Sequence, residues 1–481
     1  MKNLNRESLG LDEKLPLKIV QFGEGNFLRA FVGYAIQHLN KNADFNAGIA
    51  VVQPINSGLV KMLNDQDGLY TLFMKGIKKG KEIQEHELIT NIVRSIDPYL
   101  NFQEYISLAK EDALEFIISN TTEAGINYVE SDTLVMQPPS SFPAKLTILL
   151  NERFKYYKGD SSKGLTIIPC ELINHNSETL KNIILQYVKL WKLGEEFKVW
   201  VSDNCSFHST LVDRIVPGYP KDEIEDYNHQ LDYKDNLIVS AEAFFLWVIE
   251  GGEELKKKLP FDKTDLDVKI VDDMQPYRTR KVKILNGAHT AMVPFCLLSG
   301  KQTVKESVDD VFTGEFIENT VFNEIIPTLD MDKDELKQFG EDVFDRFRNP
   351  FVKHQLSSIA LNSISKFKVR VLPSLLDYIK INDKLPIHLM FSFACLLRFY
   401  KGTWLGDTLP VNDDAEIVKT FEKAWALGNY EATAKFILEN KLFWGEDLTR
   451  INNFTHTIVA ALIEIDTNST QVGFINFSKQ F

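Results

Sequence analysis

Ile19-Val20-Gln21-Phe22-Gly23-Glu24-Gly25-Asn26-Phe27-Leu28-Arg29-Ala30 is the stretch whose reading decides the fold. Residues 17–22 (LKIVQF) form a short apolar run that ends in glycine, the pattern of a buried strand. Residues 28–39 place Leu28, Phe31, Val32, Ala35, Ile36 and Leu39 at helical spacing. Two glycines therefore fall where a strand ends and a helix begins. Gly23 permits the tight turn. Gly25 lets the backbone approach a pyrophosphate, whose charge the helix N-terminus favours. The third glycine of G-x-G-x-x-G is absent, and Leu28 stands in its place. A plain strand-to-helix turn can carry the same two glycines. The position after the first strand of an α/β pattern is what points to a dinucleotide, with residues 19–30 expected to hold it.

Outward from this turn, strand and helix patterns alternate. Residues 48–52 (GIAVV) are a second buried strand, and residues 69–74 and 83–93 look like an added β-ribbon. Residues 116–119 (FIIS), 165–169 (LTIIP) and 199–202 (VWVS) read as further strands, with helices at 140–155 and 177–193. Such alternation implies a parallel, doubly wound sheet. The carboxylate that normally holds an adenosine ribose at the end of the second strand is missing. Gln53, Pro54, Ile55, Asn56 and Ser57 follow Val52 instead, and no arginine there marks a 2′-phosphate. From about residue 282 onward nearly every segment has helix length and period: 288–298, 336–347, 387–398, 414–426 and 453–464. The pattern breaks at DDMQPYRT, residues 272–279. The expected organisation is thus α/β: a Rossmann-like domain over residues 1–275, then a mostly α-helical domain over residues 276–481.

Two domains also suit a chain of 481 residues. With 44% hydrophobic and 25% charged residues the chain is an ordinary globular one, not a disordered one. No apolar run reaches the roughly 18 residues of a membrane span. Residues 1–14 are polar without an apolar core, so no signal peptide and a cytoplasmic location are expected. A net charge of −13 repels phosphate backbones, and no nucleic acid partner is expected. The basic stretch KGIKKGK, residues 75–81, lacks interleaved aromatics and reads as a solvated turn between strands. The four cysteines, Cys170, Cys205, Cys296 and Cys395, are far apart, and no H-E-x-x-H occurs, so neither a disulfide framework nor a metal site is expected.

Chemistry concentrates in residues 280–290, RKVKILNGAHT. On an α-helix Asn286 lies at about 140° and His289 at about 80° from Lys281, so the three can line one face. A lysine can exchange a proton with a reacting oxygen when burial lowers its pKa. An asparagine can donate to that oxygen as charge develops, and a histidine can orient a hydroxyl. An amphipathic helix with ordinary polar decoration has the same spacing. Gly287 within the helix hints at a close approach by another element.

Six motifs then occur in order: IVQFGEGNFLRA, SNTTEAGI (119–126), PCELINHN (169–176), VDRIVP (212–217), K-x4-N-x2-H from Lys281, and Asn349-Pro350 followed by Lys366. Together they resemble the mannitol dehydrogenase family of polyol-specific long-chain dehydrogenases, from about residue 17 to at least residue 375. The resemblance implies a Rossmann-like domain followed by a helical one, and metal-independent hydride transfer with a nicotinamide cofactor. NAD is expected, since no positive charge marks a 2′-phosphate. By the same resemblance Lys281 is the catalytic lysine, Asn286 an oxyanion-binding asparagine and His289 the substrate-orienting histidine. Asn176 corresponds to a second oxyanion-side asparagine, within wording that departs from the family's commoner C-D-N. Lys366 matches a substrate-contacting lysine, whereas Ser358 stands where the family carries a substrate arginine.

That departure, with the wording of SNTTEAGI, PCELI and SIALNSISKF (358–367), is similar to members that act on sugar acids rather than neutral hexitols. Lys366 and Arg370, four apart, are candidates for the substrate carboxylate, with plain surface charge as the alternative. Asn120, Thr121, Thr122 and Glu123 follow the FIIS strand and are candidates for contact with nicotinamide or substrate. Asp213 and Arg214 suggest a structural ion pair, and His175 and His354 suggest packing or surface roles. The expected partner is a small sugar acid, with no membrane. The sister activity on mannonate and fructuronate, a neutral hexitol and a non-catalytic nucleotide sensor are the rival readings, the last disfavoured by the intact Lys281, Asn286 and His289. Nothing in the sequence sets an oligomeric state.

Overall fold

In the computed structural model, which describes residues 2–11, 15–122 and 124–481, the apolar runs pair into a six-stranded sheet. Its strands are β1 (Leu17–Phe22), β2 (Gly48–Val52), β3 (Ile92–Ile96), β4 (Phe116–Ser119), β5 (Thr166–Pro169) and β6 (Ser206–Phe207). The order is β3-β2-β1-β4-β5-β6 and every pairing is parallel. Strands buried on both faces need apolar residues at successive positions, which explains the continuous runs. Ile19 packs with Phe31, Ala35, Ile36 and Leu39 on one face. Val20 and Phe22 pack with Phe142, Leu146 and Ile184 on the other. Phe22 stands opposite both Val52 and Ser119, so the C-terminal ends of β1, β2 and β4 are level. The order reverses between β1 and β4, which is where ligands bind in such sheets.

Two strand readings are corrected. Residues 199–202 lie in the helix Glu195–Asp203. Gly194, at φ 94°, turns the chain into it, and Glu195 and Glu196 occupy the first turn, where the helix dipole favours acids. Phe197, Trp200 and Val201 are buried at i, i+3 and i+4, while Val199 faces outward. The sixth strand is the two-residue β6 instead. Residues 92–93 begin β3 rather than ending the ribbon, which runs Tyr70–Lys78 and Lys81–Ile89 and is joined by Val239–Glu242.

The chain divides into two compact units. The first comprises Met1–Lys75 and Glu82–Met274, the second Gly76–Lys81 and Gln275–Phe481. In the second, the helix Gly287–Leu298 packs on Ile387–Phe399, which also packs on Phe454–Thr467. Ile387–Phe399 is apolar all round because it is enclosed all round. Its buried Ser392 hydroxyl donates to the Ala291 carbonyl at 2.7 Å. Glu324 caps its N-terminus, accepting from the His388 and Leu389 amides at 2.9 and 2.8 Å. Among the described residues no helix is long and apolar enough to cross a membrane. The four cysteines are buried free thiols.

Candidate active site

At the end of β1, Gly23 adopts φ 120° and Gly25 is the N-cap of the helical segment Asn26–Leu28. A Cβ on Gly23 would meet the Asn120 carbonyl oxygen and Leu28 Cδ1, each at 3.0 Å, whereas one on Gly25 meets nothing within 4 Å. Gly23 thus serves the turn itself, and Gly25 leaves open space above a helix N-terminus. The helix continues through a π turn, Arg29–Gly33, into Tyr34–Ala43. Side chains take up three carbonyls of that turn. Tyr70 Oη donates to Arg29 O at 2.7 Å, Arg214 Nη1 to Ala30 O at 2.6 Å and Asn91 Nδ2 to Gly33 O at 2.7 Å. Arg214 also donates to the Glu242 carbonyl at 3.0 Å, which makes it a clamp on this helix.

The expectation that all of residues 19–30 meet a dinucleotide narrows. Only Gly25, Asn26 and Phe27 reach solvent. Ile19, Val20, Phe22, Leu28 and Ala30 are core, and Gln21, Gly23 and Glu24 are buried beneath the turn. The Arg29 guanidinium is engaged internally, donating to Glu24 O at 3.2 Å, Leu237 O at 2.5 Å and Asn26 Oδ1 at 2.8 Å. It braces the turn rather than facing a ligand. At the end of β2, Gln53 Nε2 donates to Ile55 O at 3.0 Å and to the Asp97 carboxylate at 3.2 Å.

Beyond β4, Asn120 donates its amide to Phe22 O at 3.1 Å and its side chain to Cys170 O at 2.9 Å. Thr121 donates N–H and Oγ1 to Glu171, each at 3.0 Å, and Ser119 Oγ donates to the same carboxyl at 3.1 Å. Burial pushes the Glu171 carboxyl up from its ordinary value. Sequence reasoning passed over Glu171. Its signal was a lone acid at the C-terminal end of a parallel strand, within PCELI. Glu123 lies outside the described residues.

Asn176 is corrected outright. It has no exposed surface. Its Nδ2 donates to Pro169 O at 3.0 Å and Glu171 O at 3.1 Å, and its Oδ1 accepts from Ser177 N at 2.9 Å and Thr210 N at 3.2 Å. Both amide hydrogens are already used, so the side chain fastens the turn after β5 and has none left for an oxyanion.

In the second unit the run Gln275–Arg280, Lys281–Asn286, Gly287–Leu298 is one helix whose middle segment is a π turn. The Gly287 amide bonds to Val282 O, five residues back. This changes the angular reading. With i→i+5 bonding a residue five positions on returns to the same face, so Asn286 shares a face with Lys281 rather than lying about 140° away. His289 follows three residues later on regular α-helix. Lys281 and Asn286 are half-buried, and the flanking Lys283 pairs with Asp377 at 2.8 Å. Gly287 is where another element comes close: a Cβ there would stand 3.1 Å from the Arg370 carbonyl oxygen.

His289 Nε2 is shielded from solvent and has no hydrogen-bond partner among the described residues. Its ring lies 4.4 Å from that of Phe347 and 4.9 Å, edge to face, from that of His354. Burial first, then the charges of His354, Arg346, Arg370 and Lys366, hold its pKa well below the ordinary histidine value. His354, read from sequence as a packing or surface residue, therefore adjoins His289, and burial lowers its pKa as well. Lys366 and Arg370 lie in the helix Ser363–Arg370, both half-buried with lowered pKa, first through desolvation. The arrangement is a neutral imidazole, a lysine and a side-chain amide carried on one helix, with cationic side chains acting on the imidazole. It can hold an anionic, hydroxylated molecule and exchange one proton with it.

The comparisons with known proteins give the family and the fold. Residues 17–263 match the family model described as the mannitol dehydrogenase Rossmann domain, and residues 273–466 the one described as the mannitol dehydrogenase C-terminal domain. The chain is 46% identical to the altronate oxidoreductase of Yersinia enterocolitica over 469 residues, covering 96% of this chain and 97% of that one. It is also 46% identical to the altronate oxidoreductase of Bacillus subtilis over 467 residues, covering 97% and 96%. Among solved structures, a substrate-free D-sorbitol dehydrogenase superposes with a TM-score of 0.79 at 21% identity, covering 98% of this chain and 100% of that one. Pseudomonas fluorescens mannitol 2-dehydrogenase, solved as a ternary complex with NAD and D-mannitol, superposes with a TM-score of 0.64 at 19% identity, covering 100% of both.

Proposed function

The chain belongs to the mannitol dehydrogenase family, and from that premise we propose that it is an NAD-dependent oxidoreductase interconverting D-altronate and D-tagaturonate. The observation that carries the sugar-acid reading is the cationic setting of His289. After burial and His354, the charges of Arg346, Arg370 and Lys366 are the ones that most lower its pKa. A neutral hexitol gives such a field nothing to pair with, whereas a hexuronate brings a carboxylate. The altronate oxidoreductase name of the relatives at 46% identity supports the same substrate pair.

In this reading the open N-terminal turn at Gly25 takes the pyrophosphate of the dinucleotide. A bound nicotinamide supplies the hydride in ketone reduction and accepts it in alcohol oxidation. Lys281 gives its proton to the ketone oxygen in reduction and recovers it in oxidation. Asn286, brought onto the Lys281 face by the π turn, donates a hydrogen bond to that oxygen as negative charge grows on it. His289, held neutral, orients a substrate hydroxyl. NAD is favoured over NADP because the end of β2 presents Gln53 joined to the Asp97 carboxylate, which would repel a 2′-phosphate.

A spectrophotometric panel of NADH oxidation with tagaturonate, fructuronate and fructose tests the reading. Tagaturonate is expected to give the highest kcat/KM. Preference for fructose overturns the sugar-acid assignment. Nucleotide binding without turnover on any of the three overturns the enzymatic one.

A further inference from the structure

The two cations of the helix Ser363–Arg370 are four residues apart but differently placed. Lys366 Nζ donates to the Ile359 carbonyl at 2.9 Å, tying its helix to the preceding one, Leu356–Ile359. Asp413, which accepts from the Ile364 amide at 3.3 Å, opposes part of the Lys366 charge. The Arg370 guanidinium has neither kind of partner. Among the described residues nothing accepts a hydrogen bond from it and no carboxylate offsets its burial. A half-buried guanidinium holds its charge at every working pH and has five N–H donors to satisfy. The backbone that carries it is closely packed. The Arg370 carbonyl stands 3.1 Å from the Cβ position of Gly287, so the last turn of the helix rests on the residue next to Asn286. One turn along, His289 feels the Arg370 charge.

We infer that Arg370 is the specificity-determining residue that takes the substrate's terminal carboxylate, while Lys366 serves as the tether of its own helix. The inference rests on the sugar-acid reading above. An arginine–carboxylate pair adopts a two-pronged geometry that a neutral hydroxyl cannot match, and this converts one fixed side chain into selection for acids. The Gly287 contact sets how far that side chain stands from the proton-transfer residues. The site therefore measures the distance from carboxylate to ketone as well as the presence of the acid.

The test is steady-state kinetics of Arg370→Met, Arg370→Lys and Lys366→Met on tagaturonate and on fructose, with melting temperatures recorded for each variant. Arg370→Met is expected to raise KM for the keto acid about 10- to 100-fold, the range for a lost charge-assisted pair, with KM for fructose unchanged. Arg370→Lys should recover part of the loss, since it restores charge without the fork. Lys366→Met should lower the melting temperature and affect both substrates alike. Lys368→Met, which removes a charge from the same helix whose Nζ instead reaches the Leu442 carbonyl, should change neither KM. Equal loss on acid and ketose in Arg370→Met, or acid-selective loss in Lys366→Met instead, overturns the assignment to Arg370. Unmodified enzyme that reduces fructose better than tagaturonate overturns the underlying sugar-acid reading, independently of any variant.

Discussion

Replacing Asn176 with alanine removes hydrogen bonds from a position with no exposed surface, and the structure says which losses matter. The carbonyls that Nδ2 serves have other donors: Pro169 O also accepts from Thr210 Oγ1 at 2.7 Å, and Glu171 O from Ile173 N at 2.8 Å. The amides that Oδ1 serves are more exposed to loss. Ser177 N lies in the first turn of the helix Asn176–Leu190, where no intrahelical acceptor exists. Thr210 N is the second. Two buried N–H groups left without acceptors cost about 1–3 kcal/mol each, so Asn176→Ala should lose about 2–6 kcal/mol, a large part of a domain's stability. Urea unfolding with linear extrapolation measures this directly. The kcat of the folded variant should fall by less than about tenfold, whereas removing a true oxyanion donor costs about 10²–10³-fold. A variant of unchanged stability whose kcat has collapsed would refute the fastening role and restore Asn176 to the chemistry.

Three further outcomes are expected. Gly25→Leu should weaken NADH binding in a fluorescence titration with little change in melting temperature, because its Cβ has open space and its φ of −66° is ordinary; Gly23→Ala, strained at φ 120°, should lower stability instead, and unchanged NADH affinity in Gly25→Leu defeats the cofactor assignment. Lys281→Ala should reduce turnover about 10²–10⁴-fold at unchanged NADH affinity, and a variant that keeps most of its activity across pH sinks the proton-transfer role. Acid pH should destabilise the fold through His289. Its folded pKa lies below the unfolded value of about 6.5, so the unfolded chain binds that proton first; the contribution is complete above about pH 6.5 and is lost below it at up to about 1.4 kcal/mol per pH unit, with His354 acting in the same direction. Urea unfolding at about pH 7.5 and pH 5.5 should show this slope, and His289→Gln should flatten it; an identical slope in the variant contradicts the argument.

Much of the architecture was legible because burial on both faces leaves a signature that no distant residue can alter. LKIVQF, GIAVV, FIIS and TIIP are apolar at successive positions, and each is a central parallel strand. VWVS carries the same signature over four residues but is half of a helix, since Phe197, two residues upstream, completes an i, i+3, i+4 face that a window on 199–202 excludes. The candidate site was legible in its residue types and less so in its geometry. Regular helix arithmetic separates Lys281 from Asn286, and one π turn puts them on one face. Glu171 and His354 gave only weak local signals, because their importance lies in Thr121, fifty residues away, and in His289.

The order of apolar runs, the two glycines after the first of them and the change to helical period near residue 275 follow from the chain alone, since each is a statement about neighbours within one turn or one strand. The tertiary structure alone decided which polar side chains remain available. Asn176 is used up by Thr210, Arg29 by Leu237 and Lys366 by Ile359, while the Arg370 guanidinium has no acceptor among the described residues. A side chain's donors are satisfied by whatever backbone the fold carries past it. For Arg29 that backbone is 208 residues away, so no local pattern could separate the brace from the binding residue.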